Sequence, residues 1–180
     1  MSVERARLIS LRSMKTQTKR LTFLGIAVAI ALVLSYIEML LPPIWSAVPG
    51  IKAGLPNIVI ILVLYGLSLK DAAAVSLVRL ALVTLLFGNA MTLLYSLAGA
   101  VLSLGIMAIL KKINSFSVVG VSIAGAVFHN LGQIIVAIII MQTKEIGYYM
   151  IVLAFSGTIA GIFVGLLGGI LLKYFKRLKL

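Results

Sequence analysis

Cysteine is absent from this chain. Its absence excludes disulfides, thiolate metal sites, c-type haem attachment and cysteine nucleophiles together. Acidic residues are scarce as well: four carboxylates stand against 16 Lys and Arg, and Asp71 is the sole aspartate. An enzyme that handles diphosphates through Mg²⁺ needs clustered carboxylates, and the sequence offers no cluster. One histidine without cysteine does not make a typical zinc site. No Gly-x-x-x-x-Gly-Lys-Ser/Thr run is present, so ATP hydrolysis by a P-loop is excluded. We therefore expect no catalytic residue, no metal and no cofactor.

Charge of either sign is thin. Only 11% of residues are charged and 62% are hydrophobic, where a soluble domain carries about 25% charge. The mean hydropathy is +1.22. The chain reads as an all-α integral membrane protein in contact with the lipid bilayer. Its net charge of +12 is placed at the ends. Arg5, Arg7, Arg12, Lys15, Lys19 and Arg20 lie in the first twenty positions, and Lys173, Lys176, Arg177 and Lys179 in the last eight. Basic clusters that flank apolar runs orient a membrane protein and contact anionic lipid. Nucleic acid is not an expected partner.

The apolar runs predict six transmembrane helices at ~20 residues each. Residues 1–20 form a basic cytoplasmic tail, 21–172 a six-helix membrane domain, and 173–180 a second basic cytoplasmic tail. The spans fall at about 21–41, 57–69, 72–87, 91–110, 117–141 and 148–172. Pro42-Pro43 stops the first. Residues 44–56, rich in Gly and Pro, form a loop too apolar for a plain linker. Lys70-Asp71 separates the second span from the third. With both termini inside, the inner side receives thirteen Lys and Arg and the outer side Lys52 and Lys144. That bias predicts the N-in/C-in arrangement and makes loop 44–56 external.

Polar side chains within apolar runs are the candidate site, because in hydrocarbon they turn towards a bundle interior or a cavity. Gly125, His129 and Gln133 share a helix face, and Asn130 borders it. Arg79 lies ~11 Å above the inner edge of span 3, His129 ~18 Å up span 5, and Glu38 ~26 Å up span 1. Arg79 is thus nearer in depth to His129 than to Glu38. A group of Arg79, His129, Asn130 and Gln133 is rich in donors and short of acceptors. A small ligand with carboxylate, phosphate or carbonyl oxygens would complement it. Lys52, Asn57, Glu38 and Asn89 complete the candidate ligand-binding set near the rim. For His129 and Lys52 the structural alternatives, helix orientation and snorkelling to headgroups, stay open.

Small residues mark the packing faces. Gly157, Gly161, Gly165 and Gly169 predict a close helix contact within the bundle, with span 4 a plausible partner. Span 1 carries two pairs, Gly25/Ala29 and Ala27/Ala31. The second shares a face with Ser35 and Glu38, and the first lies opposite. Either pair offers a surface for a partner helix.

Four runs of residues, together with Arg79, carry a family resemblance. They are Pro-Gly-Ile-Lys-Ala-Gly-Leu-Pro-Asn (49–57), Arg79 with Leu-Phe-Gly-Asn (86–89) and Ser-Leu-Ala-Gly (96–99), and Gly-Val-Ser-Ile-Ala-Gly-Ala-Val-Phe-His-Asn-Leu-Gly-Gln (120–133). Over about residues 21–172 the chain resembles the Gx transporter family, often labelled heptaprenyl diphosphate synthase component I. That family is in turn similar to the substrate-binding S components of energy-coupling factor (ECF) transporters. The resemblance implies an S-component-like six-helix bundle in a bacterial cell membrane. It further implies a capping loop at 44–56 and docking of an ECF-type coupling subunit with its ATPases on Gly25/Ala29 or Ala27/Ala31. The synthase label conflicts with the missing carboxylate cluster.

Three functions compete. The first is uptake of a small anionic or oxygen-rich ligand (a vitamin, a flavin or an isoprenoid-related compound) from outside. The second is a non-catalytic membrane subunit or anchor for isoprenoid-quinone synthesis or flavin-linked extracellular electron transfer. The third is an ion-coupled transporter with Glu38 or His129 as its proton site.

Overall fold

The computed structural model describes residues 2–41 and 54–177. Regular structure in them is helical throughout. It comprises α1 (Ser2–Leu40), α2 (Pro56–Gly66), α3 (Leu69–Phe87), α4 (Ala90–Ile113), α5 (Val118–Met141) and α6 (Tyr149–Arg177). A short 3₁₀ turn, Lys144–Tyr148, precedes α6. The all-α class and the six expected helices are present. Segments of α1, α4, α5 and α6 are each long and apolar enough to cross a membrane. Most of the expected loop 44–56, including Lys52, lies outside the described residues, as does Lys179.

Three boundaries differ from those expected. The N-terminal basic stretch is helical and continuous with α1, because neither Gly nor Pro interrupts it before Gly25. Likewise α6 runs through Lys173 to Arg177. Lys70 and Asp71 stand inside the first turn of α3 rather than between helices. Ser68 is the N-cap there: its Oγ accepts from the Asp71 N–H at 3.2 Å and donates to Asp71 Oδ2 at 2.6 Å. Arg20 donates to Asp71 Oδ1 from Nε at 3.1 Å and Nη2 at 2.6 Å. The cap that starts α3 thereby ties it to α1.

The helices close a ring. α5 packs on α4 to one side and α6 to the other; α6 continues to α2, α2 to α1 and α3, and α3 to both α1 and α4. The core lies around α2. Ile61, Val63 and Leu64 are almost wholly buried, and Ile58, Val59 and Ile60 nearly so. A helix apolar all round is a buried one. At 11 residues it is ~16 Å long, about half of a ~30 Å hydrocarbon layer. Both its ends therefore need partners inside the protein.

Those partners come from other helices. Glu38 of α1 accepts through Oε1 from the Gly54 N–H, and from the Leu55 N–H at 3.3 Å, at the start of α2. Gly54 enters this turn at φ 75°, a left-handed value that favours glycine. At the other end Lys111 of α4 donates through Nζ to the Leu64 carbonyl at 2.5 Å. It also lies over the Tyr65 ring, 5.2 Å from its centroid. An anion sits at the N-terminus and a cation at the C-terminus, as the helix dipole requires.

α5 is joined to its neighbours nearly backbone to backbone. A Cβ on Gly132 would lie 2.6 Å from the Ala98 carbonyl oxygen of α4. On the α6 side, a Cβ on Gly161 would lie 2.6 Å from Ile123 Cα and one on Gly165 2.7 Å from Val119 Cα. Gly157 faces Ala126 and Asn130. The glycine stripe of α6 thus meets α5, where span 4 was the expected partner. Gly169 does not belong to the contact: nothing approaches within 4 Å. Steps of four residues drift by ~40° each on a helix of 3.6 residues per turn. By the third step Gly169 has turned ~120° away. Gly168 is the residue that approaches a neighbour there, with Ile61 Cγ2 at 2.7 Å from its built Cβ.

If the charged groups at its two ends hold α2 in place, Lys111→Met and Glu38→Leu should each lower the apparent Tm in detergent, by about 1–2 kcal/mol of stability. Lys112→Met, at the exposed neighbouring position, should leave it unchanged. An unaltered Tm for Lys111→Met would show that α2 does not depend on its charged ends. In an SDS unfolding titration Gly161→Ala should destabilise by about 1–3 kcal/mol through overpacking, whereas Gly169→Ala should be neutral or slightly stabilising.

Candidate functional site

The polar residues singled out in the sequence converge on one cavity of about 360 Å³. All six helices contribute. α1 brings Ser35, Glu38 and Met39; the start of α2 brings Pro56 and Asn57 beside Gly54; α3 brings Arg79, Leu80, Val83 and Phe87. α4 brings Thr92 and Ser96 behind its N-cap Asn89, α5 brings Ala126, His129, Asn130 and Gln133, and α6 brings Gly157 and Ala160. The up-and-down order puts the C-terminal halves of α1, α3 and α5 beside the N-terminal ends of α2, α4 and α6. Of the candidate ligand-binding residues, Arg79, His129, Asn130, Gln133, Asn57, Glu38 and Asn89 line this cavity. Lys52 lies outside the described residues.

Arg79 is the most constrained of them. Its side chain is 9% exposed. Nη1 donates to Ser35 Oγ at 3.2 Å, and Ser35 Oγ in turn donates to the Ala31 carbonyl at 2.8 Å. Nε is buried and meets no hydrogen-bond partner among the described residues. No ion pair with Glu38 forms within 4.0 Å. Leaving a buried donor unmet costs about 1–3 kcal/mol, and more where the group is charged. Arg79 is thus a desolvated cation with one neutral hydrogen-bond partner, and the Glu38 carboxylate acts on it only at longer range.

The surrounding groups have different duties. Asn130 reaches across Gly157 and donates from Nδ2 to the Leu153 carbonyl at 2.7 Å. That bond fixes the side chain between α5 and α6 and leaves Oδ1 as an acceptor. His129 packs its ring on Gly99, where a Cβ would lie 2.8 Å from Cε1, so its orientation is set by the α4–α5 contact. Asn89 stands exposed at the rim and caps α4, accepting from the Thr92 N–H at 2.9 Å. Glu38 accepts from the backbone at the start of α2. The side chains of Gln133 and Asn57 make no hydrogen bond with the described residues. Among the described residues no three His, Asp or Glu side chains gather as a metal site.

Ser35, Thr92 and Ser96 are not among the ligand-binding candidates named from the sequence, yet they line the cavity. Ser35 shares the face of Ala27, Ala31 and Glu38, which was the available signal. The structure also separates the two small pairs of α1. Ala27 (3% exposed) and Ala31 (0%) are core residues, so that pair offers no surface to another protein. Gly25 and Ala29 are exposed.

No curated protein and no solved structure matches the chain. One family model does, over residues 27–171, a stretch that holds every described side chain of the cavity. On that match the chain belongs to the heptaprenyl diphosphate synthase component I family.

Proposed function

We propose that this protein is a membrane substrate-binding and uptake protein with the role of an ECF-type S component. It would cross the membrane six times with both termini cytoplasmic, four spans by long apolar helices and two by α3 and the buried α2. Its ligand, small and anionic or rich in oxygen, enters from outside between loop 44–56 and the helix ends. Arg79, His129, Asn130 and Gln133 hold it, with Asn57, Glu38, Asn89 and Lys52 at the rim. A coupling subunit with ATPases supplies the energy, docking on the exposed Gly25/Ala29 face of α1.

The observation that carries this reading is Arg79, a buried guanidinium with an unmet Nε on a cavity shared by six helices. A charge in that position is costly unless something completes it. An anionic ligand is the natural complement. Catalysis forms no part of the reading. Asp71 is held by Arg20 and Ser68, and Glu38 by the backbone of α2, so both carboxylates have structural partners.

A second reading is favoured by the family description, which names a component of a synthase. In it the chain is a non-catalytic membrane subunit or anchor for isoprenoid-quinone synthesis or flavin-linked electron transfer. One experiment separates the two. The protein in nanodiscs is incubated with a bacterial metabolite extract, and retained compounds are identified by mass spectrometry. Under the uptake reading the wild type retains a small molecule that Arg79→Gln retains at least about tenfold less, a difference of ~1.4 kcal/mol. Equal retention by the variant removes Arg79 from the site. Co-purification of a synthase subunit with no retained small molecule favours the second reading.

A further inference from the structure

We infer that Ser35 is a positioning residue of the site: it anchors one end of the Arg79 guanidinium so that the Nε edge can meet an anionic group offering two oxygens side by side. This rests on the reading of the cavity as a ligand site and deepens it by naming how the anion is held.

The direction of the hydrogen bonds comes first. A serine hydroxyl has one proton and two lone pairs. Ser35 gives its proton to the Ala31 carbonyl, one turn back in α1, at 2.8 Å. Its oxygen is then an acceptor alone, and it receives Nη1 of Arg79 at 3.2 Å. Ala31 is fully buried, so the carbonyl at the end of this relay belongs to the core face of α1. Thr158 of α6 makes the same bond within its own helix, to the Ala154 carbonyl at 2.8 Å, and engages no cation. Ser35 adds to that local bond a contact with α3.

The shape of the guanidinium comes second. It is a flat fork with five N–H donors. The Nε proton runs parallel to one on the adjacent Nη2, and that pair matches two oxygens of a carboxylate or phosphate. Nη1 lies on the other side of the plane's axis and is the nitrogen bound to Ser35. Nε is the buried donor without a partner. The anchored end and the unmet edge are therefore opposite sides of one rigid group. Because Nε is buried, engaging that edge takes a turn of the plane towards the cavity, which Arg79 already lines. Nη1 on Ser35 is the pivot. A lysine here would carry the charge without the paired donors.

Asn130 is held by a similar device on the facing wall. Its Nδ2 is fixed on the Leu153 carbonyl at 2.7 Å and its Oδ1 is left as an acceptor. The helix that carries Asn130 is locked by glycine contacts. Arg79 stands away from them and depends on the hydroxyl of Ser35.

The test uses wild type, Ser35→Ala, Ser35→Thr and Arg79→Lys in nanodiscs, each incubated with a bacterial metabolite extract. Native mass spectrometry identifies what is retained. The wild type should retain a compound bearing a carboxylate or phosphate, and Arg79→Lys at least about tenfold less of it despite the conserved charge. Ser35→Ala should retain about three- to tenfold less, and Ser35→Thr, which restores the hydroxyl, should come within about twofold of wild type. With arginine labelled by ¹⁵N at Nε, the Arg79 signal, identified by its loss in Arg79→Lys, should shift when the extract is added. In Ser35→Ala that shift should be lost at the same extract concentration. A merely structural serine would lower the apparent Tm and leave the shift in place, which overturns the inference, as does equal retention by Ser35→Ala and wild type. Retention with an unmoved signal, or full retention by Arg79→Lys, overturns the Nε edge while leaving the ligand site standing. A wild type that retains nothing overturns the binding reading itself. Where Ser35→Ala does not elute as a single species, Ser35→Cys, of similar size and a weak acceptor, gives the same comparison.

Discussion

A helix too short for the membrane has to end inside protein, and this requirement organises the molecule. The backbone groups at the two ends of α2 cannot turn to water within an apolar layer. Glu38 meets the first end from α1 and Lys111 the second from α4. The two charged residues are thereby placed on opposite sides of the bundle, with the apolar body of α2 between them. That body is made of buried Ile, Val and Leu side chains, which need no polar partner. The cavity lies at the N-terminal end, with Glu38, Pro56 and Asn57 among its lining residues.

α5 is the second fixed element, and for a different reason. Helices in lipid gain little from the hydrophobic effect and rely on close contact. Gly132 brings α5 onto α4, and Gly161 and Gly165 bring α6 onto α5. Contacts this close leave His129 and Asn130 little freedom: one ring lies on Gly99 and one amide bonds across Gly157 to Leu153. Rigid support of this kind positions polar groups without extra residues. Arg79 lacks it. Its one bond goes to Ser35 on α1, so the least satisfied group of the cavity sits between α1 and α3, away from the glycine contacts.

Much of the site was legible because burying polar groups in an apolar layer is costly. Polar residues inside apolar runs are few, and seven of the eight candidates line one cavity. The helical period correctly separated the Ala27/Ala31 face from the Gly25/Ala29 face, but it did not tell which faced inward. Burial of Ala27 and Ala31 decides that. The roles of Glu38 and Lys111 were not legible. Each acts on a backbone group distant in sequence, and Lys111 looked like one more inner-side charge. The partner of the α6 stripe was likewise hidden, since a face predicts close contact and not the identity of the neighbour.

By its composition alone the chain was bound to be helical and apolar, with charge at its ends and a handful of buried polar groups. Those properties follow from the cost of placing charge and unpaired backbone in hydrocarbon, which acts on each segment separately. Tertiary structure decided which helices touch, where α2 ends, and that Arg79 faces a cavity with an unmet donor. Such properties depend on groups brought together from distant segments. No single segment, read by itself, contains the second member of the pair.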